Sequence, residues 1–335
     1  MAADLSRLGQ IKGSSSDDYA LFLKLGISEV ISAYDRKCVF KGMLKSRNIT
    51  GGKSAAFPVA GKVTAAYHTP GNALTGSINS PSDLNEEIIN LDALMVADVS
   101  IYELDELMAY WQMRQEYTHQ LGQALAVEYD KRVARVIFGA AARTTEPLSK
   151  SSNAGRTGNT ATLSAGYAAA TNAAKGDELV TAIFNMKAAM ERKDVPGDEL
   201  MCAVGPEEYY FLSQSSRAIN ADFNNSAAGP SNGTIANGQV MSIAGIPVIK
   251  SNHVTQAAYT NVTGDRNTVY AQNLSKCKAL LFGKDCAGVL TLKEPKLQVT
   301  SNDWNIEYQS TLMVASQSIG MGVLRAECAG SISIP

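Results

Sequence analysis

The sequence predicts a mixed α+β protein, with a long bent ribbon and one long helix ahead of a more compact body. Three patterns carry that reading. Apolar residues recur at period two from Ile89 to Ile101, a helical period runs from Glu103 to about Gly139, and strand-like alternation fills the chain from Lys276 to Pro335.

Taken in order, "MAADLSRLGQIKGSSSDDYA" lacks the continuous apolar core of a signal peptide and reads as a polar arm. "DYALFLKLGISEVISAYDRKCVF" has helical spacing. From Ser54 to Val63 short β-type runs are broken by Pro58 and Gly61, which suits an edge strand or bent ribbon. After the turn-rich "HTPGNALTGSINSPSD", Ile89, Leu91, Ala93, Met95, Ala97, Val99 and Ile101 share one strand face. Together these runs make a two-stranded ribbon of roughly fifty residues, which is marginal alone in water. It must lie against its own body or another subunit.

The helical stripe contains Leu104, Leu107, Met108, Trp111, Leu125, Tyr129, Val133, Val136 and Ile137, interrupted by Gln115, Thr118 and Gly122. Glu103, Asp105 and Glu106 at its start and Lys131, Arg132 and Arg135 near its end suit the helix dipole. At about 1.5 Å per residue the helix would run roughly 50 Å, a structural spine in which Trp111 is a core anchor. Residues 140–174 are poor in large apolar groups and read as loops. "GDELVTAIFNMKAAMERKDVPG" is an amphipathic helix closed by Pro196 and Gly197, and "ELMCAVGPEEYYFLSQ" is a strand, a turn and a helix from near Pro206. A polar loop then precedes the strand pair "VMSIAGIPVIKSNHV".

Composition narrows the function classes. Thirty Lys and Arg against 32 Asp and Glu leave a net charge of -2, which argues against a protein whose main work is gripping nucleic-acid phosphates. No apolar run approaches the roughly 20 residues that span a bilayer, so no membrane partner is expected. The five cysteines, Cys38, Cys202, Cys277, Cys286 and Cys328, show no C-x-x-C spacing. They read as reduced thiols. Asn-x-Ser/Thr triplets at Asn48, Asn224, Asn232, Asn261 and Asn273 read as chance in an Asn-, Ser- and Thr-rich chain.

One stretch poses a sharper question. "ITGGKSAAFPVAGKV" contains the Gly-Lys-Ser that ends a phosphate-binding loop, but the required first glycine is Arg47. Ala-Ala-Phe-Pro follows Ser54 and is extended, so Lys53 would not sit at a helix N-terminus. His68, His119 and His253 are too scattered for a metal signature, and no nucleophile elbow or acid–base constellation is present. The residues therefore assign no catalytic, cofactor-binding or metal site.

Several stretches carry a family resemblance: "GGKSAAFPVAGKVTAAYHTPGNAL", "LMVADVSIYELDELM", "RQEYTHQLGQALA" and "GVLRAECAG". In this order they resemble the major capsid proteins of short-tailed, T-seven-like bacteriophages, and the similarity in layout extends over nearly the whole chain. The resemblance implies the shared tailed-phage capsid fold. It places an N-terminal arm at 1–50, an E-loop ribbon at 51–98 and a P domain at 99–175 with its spine helix at 103–139. An A domain follows at 176–286, and 287–335 holds strands returning to the P domain and the C-terminus.

By the same resemblance the partners are copies of the chain in pentamers and hexamers, a scaffolding protein during assembly and a portal protein at one vertex. The shell encloses packaged double-stranded DNA and is assembled in the cytoplasm of a bacterial host. The isopeptide crosslink of some relatives is not expected here at Lys53 or Lys62. Because a ribbon without its own core gains stability by lying across a neighbour, the candidate inter-subunit contacts are Lys53, Phe57, Lys62, Tyr67, Glu86 and Glu87. Two alternatives remain at this point: a cellular nanocompartment shell of the same fold, and a nucleotide-binding enzyme.

Overall fold

The computed structural model describes residues 20–60, 67–71, 84–108, 113–145, 156–215, 242–300 and 308–335. Helix α1 (Ala20–Lys37) ends on Arg36 and Lys37, basic residues that suit the negative end of its dipole. It packs on α3 (Met113–Ala141), burying Val30, Ala33 and Tyr34 beside Leu121 and Leu125. Gly122 permits this approach, since a Cβ there would meet the Val30 carbonyl oxygen at 2.6 Å. That glycine is a gap in the apolar stripe because the neighbouring backbone fills it.

The spine differs from the sequence expectation in three ways. α2 (Glu103–Met108) opens it with Leu104 and Met108 exposed, at 66% and 63%. The buried part of the stripe begins only at Thr118 and Leu121 and continues through Leu125, Tyr129, Val133, Val136 and Ile137. α3 also runs on to Ala141, so Lys131, Arg132 and Arg135 lie before its last turn, which holds no basic residue. Arg132 and Arg135 are drawn into side-chain networks instead of capping a helix end. Trp111 falls outside the described residues.

Strands β1 (Lys45–Asn48), β10 (Ala287–Val299), β11 (Ser310–Val323) and β4 (Met95–Tyr102) form a four-stranded sheet in that order. A six-stranded sheet has the order β5-β12-β9-β6-β8-β7, from Asn159–Thr162, Ala329–Ser333, Cys277–Gly283, Leu200–Val204, Ile246–Lys250 and Ser242–Ile243. The expected strand pair is the β7–β8 hairpin, turned at Ala244 and Gly245, both at positive φ as a tight two-residue turn requires. α4 (Asn172–Glu191), with Thr171 as its N-cap, and α5 (Pro206–Gln214), with Pro at N1, pack together beside this sheet. α3 lies against strands of both larger sheets, and one continuous core joins them.

One strand sits where the sequence pattern reads loop. β5 lies in the stretch read as loop, where four residues suffice because β12 runs parallel beside them. β12 hydrogen-bonds to β9 and β5 in the six-stranded sheet, while β10 and β11 stay with β1 and β4. The period-two run is also divided: among the described residues β3 (Leu84–Asn90) pairs with β2 (Ser54–Ala60) alone, and β4 joins the four-stranded sheet after a break at 91–94.

Candidate functional site at the root of the ribbon

β2 and β3 pair antiparallel, with Ser54 opposite Asn90, Pro58 opposite Glu86 and Ala60 opposite Leu84. Pro58 is tolerated because the pair is two strands wide, so its missing N–H costs no second ladder. Among the described residues, the core of this ribbon is at its root. Ile89, Leu91, Leu290 and Leu324 bury against one another, flanked by Ile49, Ala55, Phe57 and Leu292. Farther along, Ala56, Pro58, Glu86 and Ile88 are exposed.

The sheet beneath the root is made smooth by glycine. Gly288 and Gly322 are register partners on β10 and β11, and Gly320 lies two residues away. A Cβ would meet Ile89 at 2.9 Å from Gly288 and at 2.7 Å from Gly322, and the Asn90 carbonyl oxygen at 2.1 Å from Gly320. Side chains at these positions would lift β3 off the sheet.

Beside this floor a buried polar cluster grips the chain where β3 gives way to β4. The Asn267 amide pairs with the Asn90 backbone as a neighbouring strand would: Oδ1 accepts from the Asn90 N–H at 3.1 Å, and Nδ2 donates to its carbonyl at 2.7 Å. Asp92 accepts from Tyr270 Oη at 2.6 Å, the Arg266 N–H at 3.0 Å and Asn267 Nδ2 at 3.1 Å. Tyr270 Oη in turn accepts from the Met321 N–H at 2.9 Å. Arg132 of the spine lies 3.7 Å from Asp92 and 2.6 Å from Asp265, with its guanidinium over the Tyr270 ring. Tyr259 donates to Asp265 at 2.6 Å and carries the Arg135 guanidinium 3.8 Å from its ring centroid.

Electrostatics follow from burial. Desolvation pushes the Asp92 carboxyl above the ordinary carboxylate range, against its bonds from Tyr270 and Arg266 and the Arg132 charge. Burial also raises Asp265, but the Tyr259 hydroxyl, the Val262 N–H and Arg132 outweigh it and hold this carboxyl below the ordinary range. Burial and Asp92 push the Tyr270 hydroxyl well up, so it remains a donor.

Of the sequence candidates, Lys53 and Phe57 lie at this root. Lys53 is exposed, and its carbonyl accepts from the Leu91 N–H at 2.8 Å. Gly52 has φ +108 and Ser54 opens β2, so the Gly-Lys-Ser leads into a strand and not into a helix N-terminus. Phe57 is half-buried in the root cluster with the Arg47 guanidinium 5.7 Å from its ring centroid. Glu87 pairs with Arg143, just beyond α3, at 2.6 Å. Glu86 and Tyr67 are exposed, and Lys62 lies outside the described residues. Asp92, Asn267, Tyr270, Arg132, Asp265 and the glycine floor were not singled out in the sequence as site residues. Two signals were present: an aspartate inside an apolar strand pattern, and Gly-x-Gly inside a strand, which marks close backbone approach.

Among the described residues no group of three or more His, Cys, Asp or Glu could hold a metal ion. A cavity lined by Leu44, Lys45, Ser46, Glu199, Lys284 and Asp285 has charges that offset one another, with Lys45 3.7 Å from Asp285.

The family model described as Gp10A-like major capsid protein matches residues 56–333. The chain belongs to this family. It is 29% identical to the major capsid protein of Escherichia phage T7, over 95% of this chain and 93% of that protein. It is 28% identical to the major capsid protein of Enterobacteria phage T3, over 96% and 94%. Among solved structures, the capsid of cyanophage P-SCSP1u matches with a TM-score of 0.77 and 34% identity over 98% of both chains. A virus-like particle from Pyrococcus furiosus, at 10% identity and a TM-score of 0.55, shares the fold alone. The Gp10A-like chain thus has the tailed-phage capsid fold, and it is a structural shell protein of the phage virion and not an enzyme.

Proposed function

We propose that this major capsid protein assembles as pentamers and hexamers into an icosahedral shell around packaged double-stranded DNA. Assembly takes place in the cytoplasm of a bacterial host, with a scaffolding protein as guide and a portal protein at one vertex. In this reading residues 1–50 are the arm, 51–98 the E-loop, 99–175 the P domain, 176–286 the A domain, and 287–335 the returning strands and C-terminus. The observation that carries it is a two-stranded ribbon whose core, among the described residues, is confined to its root. Exposed strand backbone of that kind gains partners and buried area by lying across a neighbour. Lys53, Tyr67 and Glu86 are exposed and free to face that neighbour, with Lys62 between them in sequence. Phe57 and Glu87, already engaged at the root, brace the contact from below.

Electron microscopy of the chain co-expressed with scaffolding protein tests the reading. Shells are expected from the full chain. Replacing residues 61–83 with a short glycine-containing turn, which keeps the Ala60–Leu84 pair, should give a folded, soluble protein without shells. Unaltered shells from that variant would refute the role of the ribbon.

A further inference from the structure

We infer that Asn267, Asp92, Tyr270 and Arg132 form a latch that aims the ribbon within the single subunit, before any neighbour is present. This rests on reading the ribbon as an assembly contact. Ordinarily a strand's direction is set by the ladder that joins it to its sheet. Among the described residues, β2 and β3 share no ladder with either larger sheet. The Asn267 side chain substitutes for one, satisfying both the N–H and the carbonyl of Asn90. Asp92, two residues on, is held by groups from the 266–270 segment and lies beside Arg132 of the spine. Tyr270 ties the same point to Met321 of β11.

The latch therefore joins three elements at the position where the chain leaves one sheet for the other. Buried hydrogen-bonded clusters of this type select one geometry, because every alternative leaves further polar groups unpaired away from water. The glycine floor lets Ile89 and Asn90 seat closely, since they occupy the space that Cβ atoms on Gly288, Gly320 and Gly322 would fill. These residues position the ribbon and contribute no contact surface themselves. A neighbour then receives a ribbon already directed, which lowers the ordering cost of each contact.

The test uses the full chain carrying Asn267→Asp. The change keeps the side-chain size but places an acceptor oxygen where Nδ2 now lies, 2.7 Å from the Asn90 carbonyl and 3.1 Å from Asp92. Hydrogen exchange on unassembled subunits should show the Asn90 amide exchanging about tenfold faster or more. Shell yield at matched subunit and scaffold concentrations should fall about tenfold. Ile183→Val, a buried change in α4, serves as a control for general destabilisation. Wild-type exchange and wild-type yield in Asn267→Asp would overturn the latch, as would an equal loss of yield in Ile183→Val at matched Tm. If the unaltered chain gives no shells, the assembly reading fails, and the exchange measurement alone decides the latch.

Discussion

Asp130 offers a quantitative test of how the spine holds the segment after α1. It is wholly buried on α3, and its carboxylate accepts from the Val39 N–H at 2.8 Å and the Phe40 N–H at 3.2 Å. Burial pushes this carboxyl up to about 6, against those two bonds. The free value is about 4, and the difference corresponds to about 3 kcal/mol. Since the folded value is the higher one, the native state binds the proton more tightly. Its stabilising contribution is full below about pH 4, falls as pH rises, and is gone above about pH 6. The amide introduced by Asp130→Asn cannot ionise and resembles the protonated acid. Urea unfolding of both proteins, run from pH 4 to pH 7.5, cancels the titrations they share. Relative to wild type, the variant should gain about 2 kcal/mol between those limits, whatever its offset at pH 4, because the unfolded carboxyl is already half ionised there. Parallel stability curves would show that Asp130 does not titrate in this window.

Other perturbations test the root directly. Gly320→Ala puts a methyl group 2.1 Å from the Asn90 carbonyl, so β3 must move; a loss of about 1–3 kcal/mol in thermal or urea unfolding is expected. Tyr270→Phe removes the bonds to Asp92 and Met321 and should cost about 2–3 kcal/mol with an unchanged m-value. Glu87→Gln breaks a partly exposed pair with Arg143 and should cost about 0.5 kcal/mol, a difference that shrinks in high salt. Lys53→Ala should change stability by less than about 0.5 kcal/mol, and equilibrium dialysis should find no nucleotide binding in either protein.

Local pattern was legible in this chain, as was the β7–β8 hairpin, but pairing between strands distant in sequence was not. Alternation from Ile89 to Ile101 reports a face, and Ile89, Leu91 and Ile101 are indeed buried. It does not report which sheet receives each half, because the same period continues through the break at 91–94. The helical stripe likewise names a side of the spine without saying where cover begins, so Leu104 and Met108 of α2 match the pattern while lying exposed. β5 is too short and polar to announce itself, and becomes a strand only through β12. The latch was hidden for a related reason: Asn267 and Tyr270 lie 175 and 178 positions from Asp92, a separation no local signal spans.

The division of that one pattern has a physical consequence. Had β3 and β4 formed a single strand in one sheet, continuous ladder bonds would have tied the ribbon to the body, and its stability would have been that of the sheet. Instead the ladder is broken at 91–94, where the described residues show two isolated backbone bonds to the body, from the Asp92 N–H to Ile319 and from the Ala93 N–H to Gly264, beside the side-chain ties, the small root cluster and the glycine floor. Beyond the root, Ile88 stands 55% exposed beside Glu86, and the strand edges have no partner strand among the described residues. A two-stranded segment in that condition gains little from its own chain, so most of the free energy that orders it must come from whatever covers it. In a shell protein the available cover is another copy. Fixing the direction at the root while leaving the rest unsatisfied favours pairing with a neighbour in the right place over collapse onto the ribbon's own body.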